Sequence, residues 1–320
     1  MKSILSTAVQ ATVFSCFLAF SPSAQAEKLV IGVPAWPSAK VTANIIAMSV
    51  RDTLGIETDL QEQGTLTILG EIGSGDIDVH PEIWLPNLSQ IVERMSGNEG
   101  SLRLSPNGVN ATQNICVTKS TAADTGIKAV ADLTNPDIAV KFDSDGDGKG
   151  EIWIGAKTWS STEIEMIRAH SYGYHRTMNL LEMPEDVAMA AVDAAVATGR
   201  PVVFYCYGPH HVFELHDIVK LEEPAYDAAR WNIVKRADDP QWLEKSRADT
   251  AWDGSHFHIG YAAHLERDMP GVAKFLNRIS FEPSDTTAMS YAVVVEGKSP
   301  QDVAQSWIEA NGDRIEEWMK

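Results

Sequence analysis

Apolar and polar positions alternate in blocks along the chain. Leu29-Val30-Ile31-Gly32-Val33 is a short apolar run rich in β-branched residues, the pattern of a buried strand. Val41 to Leu54 follows with Ile45, Ile46 and Val50 at helical spacing, and Gly55 stops it. Thr58 to Gln61 fits a second strand. Leu66, Leu69 and Ile72 mark a second helix, closed by Gly73-Ser74-Gly75, and Ile77-Asp78-Val79 opens a third strand. This β-α-β-α-β order predicts a parallel sheet covered by helices.

The alternation resumes after residue 112. Ile115-Cys116-Val117, Ile138-Ala139-Val140 and Pro201 to Tyr205 read as strands. Glu163 to Asn179 reads as a helix, and another runs from Pro184 to Gly199. Helical spacing returns over Val272 to Ile279 and Val303 to Met319. The expectation is an α/β chain of two lobes, each a mostly parallel sheet flanked by helices. Residues 27–112 and 256–320 form lobe one, and 113–255 form lobe two. Ligands of such sheets bind outside the carboxyl ends of strands, so the site belongs in the cleft between lobes.

Residues 1–26 read differently. Lys2 precedes an apolar stretch from Ile4 to Phe20, Ser21-Pro22-Ser23 breaks it, and Ala24-Gln25-Ala26 is a small-x-small cleavage site. A cleaved signal peptide of this kind predicts export to the periplasm. Cys16 would leave with the leader, and Cys116 and Cys206 would remain. An even count in an oxidising compartment permits one disulfide. Both cysteines sit in apolar strand-like runs, which suit buried free thiols equally well.

Composition narrows the partners. The 320 residues are 44% apolar and 22% charged, which excludes a disordered or fibrous chain. A net charge of −18 repels phosphate backbones, so no nucleic-acid partner is expected. The chain has 9 Trp, and their placement suggests a site. Trp36 and Trp84 each follow a strand-like run. Trp153 and Trp159 follow an acidic loop, and Tyr205 and Tyr207 end the run from Val202. Pro, Gly or Ser flanks each of them, so all six are expected in loops at strand ends. Indole faces around one space attract a desolvated cation at ~2 kcal/mol or more each. A fully methylated ammonium suits such a cage because it has no N–H to donate. Trp242, Trp307 and Trp318 lie among helix-like residues and are assigned to packing.

The motifs carry a resemblance. Val202-Val203-Phe204-Tyr205-Cys206-Tyr207-Gly208-Pro209-His210-His211-Val212-Phe213, followed by Leu221-Glu222-Glu223-Pro224, resembles a stretch of the betaine-type substrate-binding proteins of ABC importers. Gly75-Asp76-Ile77-Asp78 to Pro86 and Asp143 to Trp159 resemble the same family. The resemblance implies a two-lobed periplasmic binding protein, expected as a monomer without an organic cofactor. It would deliver glycine betaine, choline or trimethylamine N-oxide to membrane permease subunits. Trp84 and Trp159 fall where the family has cage tryptophans. Tyr207 stands where the family usually has Trp. Leu88 stands where relatives that hold a betaine carboxylate carry His. With that donor lost, the backbone N–H groups of Ser160 and Ser161 suit a single anionic oxygen, which favours trimethylamine N-oxide. Glu82, Glu151 and Glu163 supply acid near the cage.

Two further features remain. Asp143-Ser144-Asp145-Gly146-Asp147-Gly148-Lys149-Gly150-Glu151 places oxygen ligands at alternate positions before a Gly, like the start of a calcium loop. Asp143, Asp145, Asp147, the Lys149 carbonyl and Glu151 are the expected ligands of a structural Ca²⁺. The histidines His210, His211 and His216, with His256 and His258, suggest a metal-dependent secreted enzyme as an alternative, but their spacing matches no hydrolytic zinc motif. A binding protein coupled to a chemoreceptor would share the same cage.

Overall fold

A computed structural model describes residues 28–320. The expected leader at 1–26, with Cys16, lies outside them. The strand Leu29–Val33 pairs in parallel with Thr58–Glu62 and with Val79–Leu85. The helix Pro37–Ser49 starts on a proline whose missing N–H costs nothing at that position, and it buries Val41, Ile45 and Ile46. It widens into a π-turn over Val50–Leu54 and stops at Gly55, where φ is 67°. The helix Thr65–Ser74 buries Ile68, Leu69 and Ile72. Its contact with the first strand requires Gly32, where a Cβ would meet the Ile68 side chain at 2.6 Å.

The middle of the sheet is antiparallel. Ser255–Ala262 lies between Val79–Leu85 and Val109–Thr118, antiparallel to both. Val109–Thr118 belongs to both halves of the sheet. Its first residues, Val109 to Ala111, pair with Phe257 to Ser255, and Thr112 to Val117 pair with Gly208 to Val203. Beyond it the strands Val203–Gly208, Gly150–Gly155 and Met178–Glu182 are again parallel. Each half thus keeps the parallel βαβ character, and long antiparallel strands join the halves.

Several elements differ from expectation. Ile138-Ala139-Val140 is not a strand. The Asn135 side chain caps a short helix Pro136–Ala139, which runs into a 3₁₀ turn over Val140–Phe142. A cap followed by Pro at the first helical position outweighs three β-prone residues. The helix expected over 163–179 spans Ser160–Tyr172 and ends at Gly173, with φ 93°. Met178–Glu182 is then a strand. Gly150–Gly155 is also a strand, so Trp153 lies within the sheet. The C-terminal helix breaks at Asn311 into Pro300–Ala310 and Gly312–Met319, and a helix Pro283–Val294 precedes them.

Cys116 and Cys206 form a disulfide between neighbouring antiparallel strands, with Cα atoms 5.7 Å apart. In the second half Arg168 is fully buried, paired with Glu223 and, at 3.0 Å, with Glu165. Its guanidinium lies 5.6–5.8 Å from the ring centres of Tyr172, Trp231 and Trp252. This anchors the long excursion between Glu223 and Trp252 onto the helix Ser160–Tyr172. Trp242 and Trp318 are buried, and Trp307 stacks on Trp318, so all three pack as expected. No described helix is long and apolar enough to cross a membrane.

Candidate ligand-binding site

The cage assembles where the two halves of the sheet face each other. Trp36 precedes the helix Pro37–Ser49, and Trp159 precedes the helix Ser160–Tyr172. Their ring centres are 6.2 Å apart and nearly perpendicular. Tyr207 meets Trp159 edge-on at 5.6 Å and Trp84 edge-on at 5.4 Å. Four rings therefore border one space, with free volume of about 420 Å³ including its open mouth. The face is the electronegative part of an aromatic ring, so a space bordered by four rings suits a cation.

The lining includes Trp36, Trp84, Trp159, Ser160, Ser161, Tyr205 and Tyr207. Trp84, Tyr205 and Tyr207 lie inside strands rather than in the loops expected from their neighbours. The reason is periodicity. Tyr205 and Tyr207 are two apart on Val203–Gly208 and share one face, as do His80, Glu82 and Trp84 on Val79–Leu85. Phe257, opposite Trp84 in the register, stacks on it at 4.9 Å and backs the cage. Trp153 and Glu151 do not line the space. Trp153 packs behind Trp159 and Tyr205, and its indole N–H donates to the Met183 carbonyl at 3.0 Å.

Glu82 is the charged group of the floor. It is fully buried and accepts hydrogen bonds from the indole N–H groups of Trp36 (2.5 Å) and Trp84 (3.4 Å) and from Ser38 and Thr42. One carboxylate thus sets the orientation of two cage rings. Burial raises its pKa to about 7 despite those four donors. Beside it, burial lowers His80 to about 3, so that imidazole is neutral and its Nδ1 accepts the Glu82 N–H at 3.2 Å.

The other walls are polar and paired. Tyr207 donates its hydroxyl proton to Glu185, which also meets His210 Nε2 at 3.0 Å. Tyr205 donates to Gln113 Oε1 at 2.8 Å, and Gln113 exchanges two 2.8 Å bonds with Asn87. Asn87, Gln113 and Thr65 line the space and were not anticipated. Gln113 gave no sequence signal, because only its position on the shared strand brings it to the cage. Leu88 is buried in the lining and offers no hydrogen bond through its side chain. Trp159 Nε1 is a buried donor without a partner among the described residues. Trp159 is also the residue that precedes the helix Ser160–Tyr172, and Ser160 and Ser161 of its first turn line the same space.

The acidic loop is separate from this space. Asp143, Asp145, Asp147 and Glu151 each offer an oxygen, all within 4.8 Å of one another. Asp143 accepts backbone N–H groups from Gly146 and Gly148, which hold its pKa below the usual carboxylate range. Glu151 Oε1 is buried without a partner, whereas Lys149 donates its N–H to Asp147. Among the described residues this is the one group of three or more His, Cys, Asp or Glu side chains close enough to share an ion, and the histidines belong to none.

A two-part α/β sheet with an aromatic cage between its halves defines a solute-binding protein. Residues 27–310 match the family described as the substrate-binding domain of ABC-type glycine betaine transport systems, and the chain belongs to that family. It is 23% identical over 259 residues to the glycine betaine/proline betaine-binding periplasmic protein of Salmonella typhimurium, covering 78% of this chain and 76% of that one. It is 22% identical over 325 residues to the trimethylamine N-oxide-binding protein of Pelagibacter ubique, covering 97% of each. Among solved structures, lactococcal OpuAC in its closed form with glycine betaine superposes with a TM-score of 0.71 at 17% identity, covering 92% of this chain and 100% of that one. An ABC-transporter choline-binding protein in complex with choline also gives 0.71, at 18% identity and 91% of each chain. These likenesses establish the fold as that of the two-lobed binding proteins. The family binds substrates for transport and is not a family of enzymes.

Proposed function

We propose that this chain captures a fully methylated amine in the Trp36–Trp84–Trp159–Tyr207 cage and delivers it, from the periplasm, to the permease of an ABC importer. The observation that carries this reading is the buried Glu82 carboxylate hydrogen-bonded to two indoles that border one space. Methyl groups gain from burial against the rings, and the positive charge gains from ring faces and carboxylate together. Trimethylamine N-oxide, glycine betaine and choline are the candidate ligands. Trp159 Nε1 and the N–H groups of Ser160 and Ser161 form the receiving end for a single oxygen, which favours the N-oxide. Competition calorimetry among the three, with ammonium and amino acids as controls, tests the reading. Equal affinity for unmethylated amines would overturn it.

The lobes proposed are 27–112 with 256–320, and 113–255. They meet along the shared strand Val109–Thr118 and close by a hinge on ligand. The Asp143–Glu151 loop holds a structural Ca²⁺ that braces the sheet edge next to Trp153, and the unpartnered Glu151 Oε1 supports this. The chain acts as a monomer after removal of residues 1–26.

A further inference from the structure

A second chamber adjoins the cage at the cleft mouth. It shares Asn87, Leu88, Trp159 and Ser160 with the cage lining, so those residues form the partition between the two spaces. Its charged groups are Lys157, Lys235 and Glu163, two cations to one acid in a chain of net charge −18. Neither lysine side chain has a hydrogen bond or an ion pair among the described residues. Lys235 is half-buried, and Asp238, Glu163 and Arg94 are the charges around it. Arg94 is itself paired with Glu99. Lys235 is held over the mouth by the segment that begins at the Trp231–Asn232 strand. There Gln90 donates to the Ile233 carbonyl at 3.4 Å, across the cleft.

Two ammonium groups without a hydrogen-bond or ion-pair partner among the described residues line this space. They are matched by a ligand that carries an anion outward of its methylated head. The chamber wall mixes polar residues, Thr67, Asn87, Thr158 and Ser160, with apolar ones that include Leu66, 54% exposed, Ile91 and Ile233. An alkyl spacer would cover the apolar ones. We infer that the mouth chamber is a second subsite, in which Lys157 and Lys235 receive the anionic end of N-trimethyl zwitterions longer than the small amines held by the cage alone.

The inference rests on the cage reading, so the assay separates the two. Calorimetry compares tetramethylammonium, butyltrimethylammonium and 4-(trimethylammonio)butanoate on the mature protein and on the double variant Lys157→Gln/Lys235→Gln. The expected result is that the butanoate binds the unaltered protein at least tenfold more tightly than the butyl compound. In the variant that advantage is lost, while tetramethylammonium binds unchanged. Equal affinity of the butanoate and butyl compounds, or an advantage that survives in the variant, overturns the subsite. Failure of tetramethylammonium to bind the unaltered protein overturns the cage reading instead. Each single lysine variant assigns the share of each ammonium, and matching melting curves exclude a folding defect.

Discussion

Replacing Glu82 with Gln separates the charge of the cage floor from its shape. Gln keeps an oxygen for the Trp36 indole N–H and nearly the same volume, so the rings should hold their places. The charge is lost. A methylated nitrogen at ~5 Å from the carboxylate, with an effective dielectric of ~20, gains about 3 kcal/mol from it. Removal of that term weakens binding of a permanent cation about 100-fold at pH 8. The dependence on pH follows from the raised pKa. With a value of about 7, Glu82 is mostly ionised at pH 8 and mostly protonated at pH 6. A bound cation favours the ionised form, so binding at pH 6 requires loss of a proton. Affinity of the unaltered protein for tetramethylammonium should therefore fall about tenfold from pH 8 to pH 6. The variant should show no such slope. Calorimetry at three pH values on both proteins measures this. A variant that binds as tightly as the unaltered protein at pH 8, or that keeps the slope, would refute the counter-ion role.

Further expected outcomes concern the cage, the fold and the loop. Trp84→Ala and Trp159→Ala should each cost ~2 kcal/mol or more of binding, about 30-fold, by the same calorimetry. Trp153→Phe should leave affinity within about threefold while lowering the melting temperature, because that indole packs behind the wall. Burial raises both Glu82 and Glu165 to about 7 from 4.5, so between those values the folded chain keeps protons that the unfolded chain has lost. Their contribution to stability therefore falls as pH rises from 4.5 to about 7 and is level above. Melting curves from pH 5 to 8 should show a smaller decline in Glu82→Gln than in the unaltered protein; an identical decline would argue against a raised pKa. The Cys116–Cys206 bridge closes a separation of 90 residues. Its replacement by two serines should lower unfolding free energy by up to about 4 kcal/mol in denaturant titrations. Chelation should lower the melting temperature more than it changes ligand preference, and an unchanged curve would remove Ca²⁺ from the Asp143 loop.

Local pattern determined much of this protein. The apolar run at Leu29–Val33, the spacing of Ile45 and Ile46, and Gly55 and Gly199 as helix stops act over a few residues, and each appears in the fold where the pattern placed it. The aromatic residues of the cage were legible for the same reason, since Trp and Tyr near strand ends stand out from their neighbours. Three β-prone residues at Ile138 to Val140 were misleading because a cap and a proline just before them decide the backbone first. Glu82 was expected near the cage, but its hydrogen-bond partners, and Asn87, Gln113 and Thr65 in the lining, were not legible. Glu82 holds two cage indoles because strand pleating turns it to the same side as Trp84 and a helix brings Trp36, Ser38 and Thr42 to it. Gln113 reaches Asn87 and Tyr205, 26 and 92 residues away in sequence, through the strand common to both halves of the sheet. The same holds for the disulfide, which two cysteines in a sequence permit but only the register of two antiparallel strands brings within bonding distance. Chain proximity sets which elements form. Which side chains meet in the cleft depends on strand order and register, contacts made across the fold between residues that no local pattern links.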